Sequence, residues 1–80
     1  MNAKTAVARR IQALCAERDI TVNTLANQSG VAPSTIYSML NEKSQNPGVV
    51  SIQKICDGLG ISVRAFFEAP LFENLEQEIQ

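Results

Sequence analysis

Hydrophobic residues along the chain recur three and four positions apart, and no segment alternates strictly between apolar and polar residues. This spacing indicates amphipathic helices rather than β-strands. A first helix is predicted over about residues 3–18, because one stripe of its surface is apolar. The residues of that stripe are Val7, Ile11, Leu14 and Cys15.

Two short helices with a glycine-containing turn between them are predicted next. Thr21 has the side chain of an N-cap, and Gly30 suits the left-handed position just beyond a helix end. The second helix lies between Thr21 and Gly30, and its inward residues are Leu25 and Ala26. Pro33 begins the third helix, where its missing amide proton costs no hydrogen bond. The inward residues of the third helix are Ile36, Met39 and Leu40.

The remaining chain predicts a loop, two further helices and a tail. Residues 41–48 have turn chemistry at almost every position. A fourth helix is expected near residues 50–59, ended by Gly60. A fifth helix is capped by Ser62 and carries Val63, Phe66 and Phe67. After Pro70, a further amphipathic turn or two carries Phe72, Leu75 and Ile79.

These elements predict an all-α fold of five short helices with a short amphipathic C-terminal tail. The 80 residues make one domain, over residues 1–69, followed by an acidic tail over residues 70–80. No apolar run is long enough to cross a bilayer, and no secretory signal is evident, so a cytoplasmic location is expected.

The two cysteines, Cys15 and Cys56, lie among apolar neighbours at helical spacing, and the chain contains no histidine. Buried thiols in a reducing compartment are therefore expected. A tetrahedral zinc site needs four ligands that this sequence does not supply, so no metal and no cofactor are predicted.

The charge is distributed unevenly, although the net charge is only −1. Residues 1–64 contain all seven basic residues and four acidic ones, a net charge of +3. Residues 65–80 contain four acidic residues and no basic one, a net charge of −4. A mildly basic body with an acidic tail is compatible with a DNA-binding face.

The segment from Thr21 to Lys43 carries the functional information. Its two short helices, joined by a turn with a glycine, are predicted to cross at a steep angle and present the second helix outward. The later helix of the pair, which begins at Pro33, exposes hydrogen-bonding side chains that carry no fixed charge. Such side chains suit contact with base edges in the major groove. These side chains are Ser34, Thr35, Tyr37 and Ser38.

From about Arg10 to Phe67 the sequence resembles the phage-repressor (Xre/Cro-like, lambda-repressor-like) helix-turn-helix family. The resemblance rests on RIQALCAERDITVNTLANQSGVAPSTIYSML, then NEKSQNP, then SIQKICDGLGISVRAFF. Each of these segments alone is weak evidence for the family. Together, in this order and at this spacing, they are strong evidence for it.

The resemblance implies a positioning helix over residues 21–28 and a recognition helix over residues 33–40. It implies base contacts from Pro33, Ser34, Tyr37 and Ser38, with Thr35 partly exposed. It also implies phosphate contacts from the loop and the helix start, made by Thr21, Asn41, Lys43, Gln45, Asn46 and backbone amides around residues 45–48.

The sequence departs from the family pattern in three respects. Val22 stands where many members have a phosphate-binding glutamine, and Glu42 where many have glycine. A buried arginine–glutamate pair of the family falls on Cys15 and Leu40, and such a replacement by apolar residues is compatible with the fold.

The predicted function is a sequence-specific transcriptional regulator, a repressor, that binds double-stranded DNA as a homodimer. Phe72, Leu75 and Ile79 are the candidate dimer contacts, and packing onto their own domain is the alternative. A second functional hypothesis is a protein-interaction module, such as an antitoxin that masks a partner protein. No triad, phosphate-binding glycine loop or acidic metal cluster is present in the sequence, so an enzyme is not expected.

Overall fold

The computed structural model describes residues 1–41, 47–77 and 79, and these residues form five α-helices with no β-strand. The predicted five-helix, all-α fold is confirmed, with helix bounds within one or two residues of those expected. A 3-10 helix, Pro70–Phe72, follows the last α-helix. The α-helices are α1 (Ala3–Glu17), α2 (Val22–Ser29), α3 (Pro33–Leu40), α4 (Val49–Leu59) and α5 (Val63–Phe67).

Side-chain caps begin three of the helices. The Thr21 side chain accepts a hydrogen bond from the Thr24 amide at 3.1 Å, and Ser62 accepts one from Ala65 at 2.9 Å. Both caps were predicted from the sequence. Asn2 caps α1 in the same way, and its Oδ1 lies 2.8 Å from the Thr5 amide. Each cap satisfies an amide that has no partner within its helix.

Left-handed residues end three helices and redirect the chain toward the next element. Gly30 has a φ of 66° after α2, and Gly60 has a φ of 70° after α4. Both predicted glycine ends are confirmed, because only glycine adopts this conformation without steric cost. Asp19, with a φ of 53°, has the same role after α1.

The core is built from the inward faces of all five α-helices, and α2 lies at its centre, against α3 on one side and α4 on the other. Phe66 is the largest fully buried side chain and is the residue by which α5 joins the core. Val63 and Phe67, expected beside it on the apolar face of α5, are 38% and 39% exposed. A helix of five residues has only one side facing the core, which Phe66 occupies.

Both cysteines are buried free thiols, as predicted. Burial raises the pKa of Cys15 and also that of Cys56, and Asp57 beside Cys56 acts in the same direction. The two side chains therefore pack as small neutral hydrophobic groups at neutral pH.

The chain after α5 folds back on α1, and the one or two amphipathic turns predicted after Pro70 amount to a single 3-10 turn. The 3-10 helix ends at Phe72, whose ring is partly buried against the core, and residues 75–77 are not helical. The Glu76 amide donates to the Met1 carbonyl at 3.1 Å, and the Met1 amino group lies 3.7 Å from a Glu76 carboxylate oxygen. Ile79, in contrast, is 88% exposed.

Helices α2 and α4 are in close contact where Gly58 lies against Ser29. A Cβ added at Gly58 would lie 2.3 Å from Ser29 Oγ, 2.8 Å from its Cα and 2.9 Å from its nitrogen. Two of these three atoms belong to the backbone, so a rotation of the serine side chain could not relieve the clash. The absence of a side chain at residue 58 is thus what allows α4 to pack directly on the end of α2.

We expect Gly58→Ala to lower the free energy of unfolding by about 1–3 kcal/mol, because the added methyl forces the two helices apart. The sign of this change tests the close contact, because alanine within a helix is otherwise about 1 kcal/mol more favourable than glycine and would stabilise the protein. Urea unfolding followed by circular dichroism measures the change. Gln53→Ala, at an exposed position of the same helix, is the matched control and should change stability by less than about 0.5 kcal/mol. A stabilised Gly58→Ala protein would contradict the close packing.

Candidate nucleic-acid interface

The turn between α2 and α3 is held in a single conformation by backbone bonds and by one buried side chain. Gly30 takes the left-handed conformation, and the Val31 amide donates to the Ala26 carbonyl at 3.1 Å. The Val31 side chain is buried in the core beside α2. Ala32 is extended, and Pro33 then starts α3 with a pre-set φ. The direction of α3 is therefore fixed relative to α2.

Helix α3 presents one face to the core and the other to solvent. Ile36 and Met39 are buried, and Leu40 is partly buried against the core. Thr35 is half-buried, and Tyr37 is 53% exposed. The other outward residues are Pro33, Ser34 and Ser38. The five residues predicted to meet bases thus lie on the accessible part of one helix.

The helix-turn-helix itself carries no charge. No residue from Thr21 to Asn41 is acidic or basic. The outward face of α3 consequently offers hydroxyl groups, the Tyr37 ring and short aliphatic surface. A serine hydroxyl can both donate and accept a hydrogen bond, which allows contact with any of the base edges.

A groove of about 310 Å³ separates the outward side of α3 from the first turn of α4. Ser51 of α4 lines it opposite the hydroxyl-bearing residues of α3. Ser51 was not among the site residues predicted from the sequence, because it lies on a different helix, far along the chain from α3. The residues around the groove are Ser34, Thr35, Ser38, Met39, Pro47, Gly48 and Ser51.

The N-terminus of α4 opens onto this groove. Gly48 is its N-cap and provides no side-chain hydrogen bond to the first-turn amides. Helix geometry leaves those amides without partners inside the helix, at the positive end of the helix dipole. Such an end attracts phosphate groups. The groove therefore combines uncharged hydroxyls with donors suited to an anion.

Positive charge lies beside the other end of α3. Lys4 and Arg9 of α1 line a cavity of about 120 Å³ together with Leu40 and Asn41. Arg9 is exposed, and Lys4 is half-buried. These two basic residues thus lie next to the C-terminal end of α3.

Arg10 is directed elsewhere and is not available as a phosphate contact. Its Nε donates to the Phe66 carbonyl at 2.7 Å, and its Nη2 donates to the Ala65 carbonyl at 3.0 Å. These carbonyls lie at the C-terminus of α5, where a cation is favoured by the helix dipole. Arg9, the residue before it, is exposed and forms no such bonds.

The residues predicted to meet phosphates fall into two groups. Thr21 is exposed at the start of α2, where its hydroxyl also caps the helix, and Asn41 is exposed at the end of α3. Lys43, Gln45 and Asn46 lie outside the described residues, as does Glu42. Among the described residues, no cluster of histidine, cysteine or acidic side chains could hold a metal ion. None of the helices that these residues form is long and apolar enough to span a membrane.

Comparison with known proteins agrees with this geometry. The profile of the Cro/C1-type HTH DNA-binding domain matches residues 10–70, and the chain belongs to this family. The crystal structure of the prophage Lp1 protein 11 superposes with a TM-score of 0.82 at 30% sequence identity, over 94% of this chain and 100% of that one. No curated protein matches the sequence. The family relation predicted from the sequence is confirmed, and it identifies the chain as a DNA-binding regulator.

The two neighbouring arginines give a matched pair of variants. Arg10→Met keeps the length of the side chain but leaves two carbonyls at the end of α5 without their charged donor, so we expect a loss of about 1–3 kcal/mol in the free energy of unfolding. Arg9→Met should change it by less than about 0.5 kcal/mol. Thermal and urea unfolding measure both. Equal losses in the two variants would show that the Arg10 bonds do not stabilise α5.

Proposed function

We propose that the protein is a sequence-specific transcriptional repressor that inserts α3 into the major groove of double-stranded DNA. The observation that carries the proposal is the outward face of α3: hydroxyl-bearing, uncharged, and fixed in direction by the turn at Gly30 and Val31. A protein of this family that occupies an operator overlapping a promoter would exclude RNA polymerase from it. The proposed place of action is the cytoplasm, and the proposed function contains no catalytic step.

Base readout would come from the first two turns of α3. Ser34 and Ser38 are one turn apart on the exposed face, so they can meet neighbouring base pairs. Tyr37 offers its ring to a thymine methyl group or its hydroxyl to a phosphate. Pro33 and the partly buried Thr35 add short aliphatic contacts at the rim.

Phosphate contacts would come from several elements around α3 and position the helix in the groove. The amides at the start of α4 and the Ser51 hydroxyl suit a phosphate on one side, and Arg9 suits one on the other. Affinity falls with salt with a logarithmic slope of about −0.9 for each neutralised phosphate, so few cations imply a shallow slope. The remaining proposed phosphate contacts are Thr21, Asn41, Lys43, Gln45 and Asn46.

The experiment is an in vitro selection of random duplex DNA by the purified chain, followed by binding measurements on the selected site. We expect one enriched motif, and we expect Ser34→Ala and Ser38→Ala to lower discrimination at particular base pairs by about 1–3 kcal/mol. Neither serine is buried, so their thermal stabilities should match the parent protein.

Asn74→Ala, an exposed polar truncation in the tail, is the control and should leave both affinity and preference unchanged. Selection that enriches no motif would contradict the proposed function. An enriched motif that both serine variants bind as the parent does would place base readout on another surface.

We also propose that two copies bind one operator. One recognition helix reads only a few base pairs, and two-fold repetition with half-sites about 34–36 Å apart supplies the missing specificity. Of the three residues predicted for the dimer contact, Phe72 packs against its own core and Leu75 is half-buried, whereas Ile79 is 88% exposed. Ile79 is therefore the residue most available to a second copy.

We expect Ile79→Ser to weaken cooperative binding to a two-half-site operator, because it removes an exposed apolar group from the proposed contact. Affinity for a single half-site should stay the same. Gln77→Ser, two residues earlier and also exposed, is the control. Titrations on both operators, with sedimentation of the free protein, measure the effect. Unchanged cooperativity in the Ile79 variant would remove the tail from the interface.

A further inference from the structure

Three phenylalanine rings meet at the end of α5. The Phe66 and Phe67 ring centroids are 4.9 Å apart in an edge-to-face arrangement, and those of Phe67 and Phe72 are 5.0 Å apart in a similar one. Phe66 is fully buried, while Phe67 remains 39% exposed. The cluster thus extends from the core to the surface, and the partly exposed Phe67 ring packs against the buried Phe66 and the partly buried Phe72.

A surface cavity of about 260 Å³ lies over this cluster. Its floor is apolar and aromatic, and two exposed glutamates stand at its edge. We call it the aromatic–acidic surface. It is formed by Phe67, Glu68, Ala69, Pro70, Phe72 and Glu73.

Charge at this surface is negative and uncompensated within the described part of the chain. Glu68 and Glu73 form no ion pair with any described residue, and the nearby Glu76 is paired with the Met1 amino group. Arg64 precedes Glu68 by one helical turn without forming an ion pair with it. No basic residue occurs from 65 to 80.

We propose that the aromatic–acidic surface binds a basic, apolar segment of a partner protein. An arginine or lysine of that segment lies against the exposed face of Phe67, with its charge directed to the Glu68 and Glu73 carboxylates. A cation over an aromatic ring is attracted by the ring's quadrupole, and adjacent carboxylates add to that attraction. The apolar part of the segment covers Pro70 and the exposed part of Phe72.

The same charges disfavour the two other macromolecules available to this protein. Glu68 and Glu73 repel phosphate groups, so the surface does not serve DNA. A symmetric pairing of two copies through this surface would place the same carboxylates opposite one another, at a cost that a basic partner does not incur.

The surface lies outside the helix-turn-helix, although Phe67 also lines a separate cavity that Lys4 and Pro47 share. It shares no lining residue with the groove between α3 and α4 or with the cavity beside Lys4 and Arg9. The partner segment can therefore bind while α3 is occupied by DNA. Binding of the segment depends neither on the operator nor on repression.

The test uses the full chain and two fluorescent capped peptides, one of alternating leucine and arginine and one with glutamate in place of arginine. We expect only the arginine peptide to bind, with an affinity that falls with salt, and to shift the Phe67 and Phe72 ring resonances. Replacing both carboxylates in Glu68→Gln/Glu73→Gln should weaken binding about tenfold. Both are exposed, so the variant should fold as the parent does.

Glu17→Gln on α1 changes an exposed acid outside the surface and should leave peptide binding within about twofold. Arg64→Gln should not weaken binding. Equal binding of the glutamate peptide, or an unchanged affinity in the double variant, would overturn the proposal. The proposal would also be overturned if the free chain self-associated more strongly after Glu68→Gln/Glu73→Gln, because the surface would then be an interface between copies.

Discussion

The contact between α2 and α4, in which Gly58 lies against Ser29, determines where the functional part of the molecule can be. Ser29 is the last residue of α2, so the contact holds α2 at the point where the chain turns toward α3. The left-handed conformation of Gly30 and the buried side chain of Val31 then set the direction of α3 relative to α2. The outward face of α3 is thus fixed by a contact to which it does not itself belong.

The helix-turn-helix is uncharged, and the charged residues of the molecule lie around it. Residues 21–41 are uncharged, Lys4 and Arg9 lie beside the end of α3, and the acids of the last segment lie beyond α5. An uncharged reading face contributes little to non-specific attraction, which depends on cations and phosphates. Discrimination by such a face depends on hydrogen bonds and shape, and on the precision with which α3 is held.

Local features were predictable from the sequence, because their causes lie within a few residues. The caps at Thr21 and Ser62, the glycine ends of α2 and α4, and the start of α3 at Pro33 follow from backbone rules that hold in any protein. The exposed face of α3 followed from helical periodicity. The features that the sequence did not predict depend on partners far along the chain: the Arg10 bonds to α5 and the position of Ser51 across from α3 have no local signature. Of the one or two amphipathic turns expected after Pro70, one is present as the 3-10 helix, and residues 75–77 beyond it are not helical.

The bonds between Met1 and Glu76 bring the first and last parts of the fold together. They close a loop that runs through all five α-helices, because residues 1 and 76 lie on either side of the helical body in the sequence. Both bonds are at the surface, and contacts between exposed peripheral segments open at a lower free energy than the buried core does. They are therefore expected to open first when the molecule begins to unfold.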